Sequence, residues 1–132
     1  MLFRSAFTSD RVGPPQIFVM DTNGANIRRL TTDGQSDSPD WSPLGHLLVF
    51  TQSLFRGNFD IYTLEIATGR QSRLTFGEGN NENASWSPDG RWVVFTTTRR
   101  GKSELWVMGA DGSNPHPLGD LPGRSFTPHW GR

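Results

Sequence analysis

One interval recurs along this chain of 132 residues and leaves few folds open to it. Tryptophan stands at Trp41, Trp86 and Trp130, at steps of 45 and 44. Phe7, Phe50 and Phe95 are each followed by threonine, at steps of 43 and 45. Ile17, Ile61 and Leu105 open the runs IFVMD, IYTLE and LWVMG at steps of 44 and 44. Leu30, Leu74 and Leu118 close IRRLT, QSRLT and PHPLG at the same two steps. Four separate landmarks on one beat mean one structural unit written three times.

Each unit reads as four short strands. The first, RWVVFTT (91–97) or HLLVFTQ (46–52), is nearly continuous apolar sequence, as expected of a strand covered on both faces. The second is IFVMD, IYTLE or LWVMG, rich in β-branched and aromatic residues. The third is short and ends in RLT in two copies, and the fourth is short and ends on the repeated tryptophan. Asn23-Gly24, Thr68-Gly69 and Asp111-Gly112 fall between the second and third strands. Such pairs take up the positive φ that tight hairpins need. WSPDG (86–90) and its near copy WSPLG (41–45) read as the end of a strand and a turn into the next. No window keeps a helical apolar pattern for three turns without Gly or Pro.

Composition agrees: Gly 15, Pro 9 and Phe 9 suit many turns and short aromatic strands. The 13 basic and 13 acidic residues balance and are mixed along the chain, which points away from nucleic acid and anionic membranes. The chain has no cysteine, which excludes disulfides, thiolate metal sites and a cysteine nucleophile. No segment approaches the ~20 apolar residues that span a bilayer, so no membrane insertion is expected. MLFRSAFTSD places arginine where a signal peptide has its apolar core, so the default expectation is cytoplasmic.

A period of ~40–45 residues with four antiparallel strands describes one propeller blade. The expected fold is all-β: a β-propeller of four-stranded antiparallel blades, three per chain. The chain 1–132 reads as a single domain with repeat units of about 1–41, 42–86 and 87–130. It starts at the second strand of a blade and ends with an innermost strand. Closed propellers need about 4–8 blades. Three leave two flat faces open, and soluble monomers seldom expose contiguous apolar patches above roughly 300–600 Å². The expectation is therefore a homodimer, two chains head to tail in a six-bladed ring closed by strand exchange. A chain cut from a longer propeller is the alternative.

FVMDTNGANIRRLT, PDWSP and LLVFT resemble the repeat of TolB-like β-propellers, and the run from Phe95-Thr96 to Trp130 is similar. Leu44 stands where SPDG has aspartate, and Gly109 where the first copy has Asp21. The resemblance implies a six-bladed, non-catalytic scaffold that binds a protein or peptide at the cell envelope, and so a periplasmic location. Two other readings stand beside it. One is an accessory propeller of a prolyl-oligopeptidase-like enzyme; the other is a self-assembling engineered or ancestral-like fragment with no evolved partner. Catalysis by this chain is not expected, since G-x-S-x-G is absent and GKSEL (101–105) and GRSFT (123–127) lack its second glycine.

Candidate site residues lie on one rim, formed by the loops entering the tryptophan strand and those between the first and second strands. Asp37 and Glu82 each stand four residues before a tryptophan, with Phe126 at that place in the third copy. In a two-fold ring they would put four carboxylates at the channel mouth, where calcium or magnesium is the weak candidate against a solvated acidic rim. His46, His116 and His129 match no chelating spacing, so no metal or other cofactor is expected beyond that. Glu78, Asn80, Asn81 and Glu82 form the most polar loop, with Arg56, Arg99 and Arg100 supplying positive charge around it. Together with Asp37 these are the candidate partner-binding residues. Trp41, Trp86 and Trp130 are expected to pack blade against blade rather than hold carbohydrate.

Overall fold

The computed structural model describes residues 4–11, 13–54 and 58–118. These residues form strands and turns without a helix, and every strand pairing is antiparallel. The first sheet holds β1 (Arg4–Ser9), β2 (Gln16–Asp21) and β3 (Arg28–Arg29) in that order. The second holds β4 (Gln35–Trp41), β5 (Leu47–Ser53), β6 (Asp60–Glu65) and β7 (Gln71–Arg73). The third holds β8 (Asn81–Trp86), β9 (Trp92–Thr97), β10 (Glu104–Gly109) and β11 (His116–Pro117). Each tryptophan strand is thus the inner strand of the blade that follows it. The first sheet has no such strand among the described residues, and β1 is its edge.

The continuous apolar strands are divided between two cores by simple alternation. Leu48 and Phe50 of β5 join Tyr62 and Leu64 of β6 against Ile17 and Val19 of β2. Val49 and Ile61, from the opposite face of the same blade, pack with Trp86, Val93, Phe95 and Met108. The middle blade is therefore buried on both sides, as expected for its β5. Complete burial of such a side chain contributes about 1.5–3 kcal/mol. The first and third sheets share no contact among the described residues, so the three blades form an open arc.

The inner strands carry a matching irregularity. Register shifts occur between Asp37 and Asp40 and between Glu82 and Ser85. Ser38 and Asn83 sit in these bulges with φ of 56° and 55°. A bulge adds twist and turns the strand end, which aims the following tryptophan at its neighbour. The WSPDG turn closes as expected: Ser87 Oγ donates to Asp89 Oδ1 and accepts from the Trp92 N–H. In the WSPLG copy, Ser42 Oγ accepts from the Leu44 N–H, and Leu44 itself is exposed.

Gly34 and Gly79 occupy one repeated position, and both have positive φ. A Cβ at Gly34 would fall on the Ser53 carbonyl oxygen. At Gly79 it would lie 2.7 Å from Thr98 Oγ1 and 2.8 Å from the Arg99 nitrogen. The loop entering each inner strand therefore needs glycine to lie against the hairpin between the next two strands of the same blade. Among the described residues no helix is long and apolar enough to cross a membrane.

Candidate functional site

The rim is built over two buried polar junctions that repeat from blade to blade. In the first blade Thr31 donates its hydroxyl to Gln16 Oε1 and accepts from the Ile17 N–H. In the second, Thr75 donates to Asp60 Oδ1 and accepts from the Ile61 N–H. Asp60 gathers more: Asn81 Nδ2 at 3.1 Å, the Gly77 N–H at 3.0 Å and Arg73 at 2.8 Å. Its carboxylate ties β6 and β7 to the inner strand of the next blade. Burying a charge is costly unless hydrogen bonds and a counter-charge replace its water, and here both do.

Arg73 also donates to the Thr75 carbonyl and lies 5.3 Å from the centre of the Phe76 ring. Its pKa is raised, first by the hydrogen bond to Asp60. Phe76 is 66% exposed on this rim. It is thus an exposed ring beside a guanidinium that is hydrogen-bonded to Asp60 and to the Thr75 carbonyl.

Glu78, Asn80, Asn81 and Arg99 are brought together at the junction of the second and third blades. Asn80 Oδ1 accepts from the Phe59 N–H, and the Asn80 N–H donates to Thr98. Arg99 donates to Asn81 Oδ1, lies 3.8 Å from Glu78 and sits 4.4 Å from the Trp106 ring centre. Asn81 corrects the surface reading: it is 0% exposed and its amide is held by Asp60, the Glu78 carbonyl and Arg99. It joins blades rather than facing a partner. Arg100 makes a two-pronged pair with Glu104 at 2.8 and 2.7 Å, on the outer part of the blade.

Asp37 is half-buried opposite Thr51, and burial raises its pKa against the opposing hydrogen bond from Ser38. Glu82 is half-buried opposite Thr96, whose hydroxyl donates to the Glu82 carbonyl. Among the described residues no three His, Asp or Glu side chains gather closely enough to hold a metal ion. Arg56 and Trp130 lie outside the described residues. Trp86 is buried, and Trp41 is half-buried against the other core.

Sequence reasoning missed Asp60, Gln16, Thr31 and Thr75. A signal existed: the threonine of RLT recurs at a step of 44, and so does the polar residue that precedes each IFVMD-type run.

Three successive antiparallel sheets, with the second and third joined by Trp86 and by a buried polar junction at Asp60, define an arc of a β-propeller. The TolB beta propeller domain family matches residues 4–132, and the chain belongs to that family. An uncharacterized protein of Agrobacterium fabrum is 36% identical over 124 residues, 92% of this chain and 42% of that protein. The Tol-Pal system protein TolB of Myxococcus xanthus is 55% identical over 73 residues, 55% of this chain and 17% of that protein. A solved structure from Agrobacterium tumefaciens assigned to TolB superposes with a TM-score of 0.84 at 32% identity, covering 89% of this chain and 43% of that one. The chain spans less than half the length of these relatives. The tricorn protease shares the fold alone, with a TM-score of 0.66 at 20% identity over 78% of this chain and 11% of its own.

Proposed function

We propose that this chain is a non-catalytic propeller scaffold that binds a protein or peptide on the rim around Phe76, and that two copies form one six-bladed ring. The observation that supports the ring is a match in residues between the outward faces of the first and third sheets, on which Phe18 and Val107 are buried and Leu118 is exposed. Phe7 and Phe18 stack at 5.7 Å on the leading flank of the first blade, with Arg11 5.3 Å from the Phe18 ring centre. They repeat Phe50 and Tyr62, stacked at 5.9 Å, which the Ile17–Val19 face covers inside the chain. Leu105, Val107 and Leu118 repeat Ile17, Val19 and Leu30 on the trailing flank of the third blade. One flank is therefore the counterpart that the other receives within the chain. A head-to-tail contact of this kind closes in a two-fold ring.

For the rim, the support is an exposed aromatic beside a hydrogen-bonded guanidinium, the type of residue that anchors protein contacts. Likeness to a named Tol-Pal system protein favours protein binding at the cell envelope over catalysis. A photo-crosslinking residue at position 76 should capture a discrete protein in cells, while the same residue at His46, in the opposite turn, should not. Equal capture at both positions, or loss of none of it in Arg73→Ala, would remove the rim from this reading.

A further inference from the structure

The Trp41 indole nitrogen is buried, yet Nε1 has no hydrogen-bond partner among the described residues. Its repeat equivalent is fully served. Trp86 Nε1 donates to the Asp40 carbonyl at 3.0 Å, the carbonyl just before the tryptophan of the preceding inner strand. For Trp41 the preceding inner strand is the one that the first sheet does not have among the described residues. The same place leaves β1 as an edge with no further strand among the described residues. Among the described residues, a buried donor without a partner and an open strand edge thus face the same position.

We propose that the β1 edge and the Trp41 indole form one docking site for residues 126–130 (FTPHW) of a second copy, with the His129 carbonyl accepting from Trp41 Nε1. The inference rests on the ring reading and fixes its register. Asp37 stands opposite Thr51 and Glu82 opposite Thr96. Phe126 and Thr8 are the next pair on that beat, and Trp130 falls opposite Ser5. FTPHW repeats the inner-strand position of SPDW (38–41) and NASW (83–86), ending on tryptophan as they do.

The chain has no cysteine, so a disulfide can report this register without interference. Directly opposed residues of antiparallel strands have Cα atoms about 4.5–5.5 Å apart, inside the range a disulfide spans. Thr8→Cys with Phe126→Cys should give a reducible covalent dimer under mild oxidation. Ser9→Cys with Phe126→Cys, displaced by one residue, points its thiols to opposite faces and should not. Trp41→Phe should weaken the dimer about tenfold, the loss of one hydrogen bond. Light scattering on the same variants separates the failures. A dimer without the disulfide overturns this register and leaves the ring. A monomer without it overturns both. A disulfide within one chain assigns the edge to the chain's own tail and overturns the second copy. A covalent dimer indifferent to Trp41→Phe overturns the carbonyl assignment.

Discussion

Trp86 holds Asp40 twice, through its indole N–H to the Asp40 carbonyl and through its backbone N–H to the Asp40 carboxylate, each at 3.0 Å. The two residues belong to inner strands of adjacent blades. A tryptophan that packs in the core also sets the spacing of the inner row. Trp86→Phe keeps a smaller aromatic ring and loses the donor, and should cost about 1–2 kcal/mol. Trp86→Ala also opens a cavity and should cost roughly 3–5 kcal/mol. Urea unfolding of both variants checks the order, and equal losses would assign the whole effect to the hydrogen bond rather than to packing.

Asp60→Ala removes the acceptor of four hydrogen bonds at the junction of the second and third blades. Arg73 is partly exposed and can rehydrate, but Thr75 and Asn81 cannot. The expected cost is about 3 kcal/mol. Asp60→Asn keeps one acceptor and should lie between Asp60→Ala and the wild type. Chemical denaturation with both variants would expose a wrong assignment if Asp60→Ala were silent.

Gly34→Ala brings a Cβ onto the Ser53 carbonyl, whereas Gly24, also at positive φ, has open space around it. Gly24→Ala should cost about 1–2 kcal/mol for the left-handed backbone alone. Gly34→Ala should cost more, since backbone atoms must move apart. Thermal melts of the pair, side by side, give the comparison; equal shifts would mean that the close approach costs nothing.

Asp37 and Asp40 both have pKa values raised chiefly by burial. A carboxyl that holds its proton more tightly in the folded chain makes folding more favourable when protonated. That contribution falls as pH rises from the unfolded value of 3.8 through the raised folded value. Asp37→Asn should therefore melt higher than wild type at pH 7, and the difference should vanish near pH 3.5. A variant less stable at pH 7 would show that Asp37 is held as a useful anion.

The repeat, the strand order and the buried middle blade were legible because each rests on local pattern: period, alternation and turn chemistry. The polar junctions were not. Asn81 reads as surface in a loop of polar residues, and only its tertiary partners Asp60 and Arg99 make burial tolerable. Asp60 precedes an apolar run and looks like an ordinary strand boundary. The bulges at Ser38 and Asn83 were hidden for a similar reason, since a bulge depends on the partner strand. Trp41 and Trp86 look identical in sequence, and their different hydrogen bonding follows from which neighbour each one has.

Solution mass tests the ring most directly. The chain weighs 14.7 kDa. Multi-angle light scattering at micromolar concentration should give twice that mass for the wild type, falling to the single-chain value when Trp130 and the residues before it back to Phe126 are deleted. A wild-type chain that runs as a stable monomer would contradict the account.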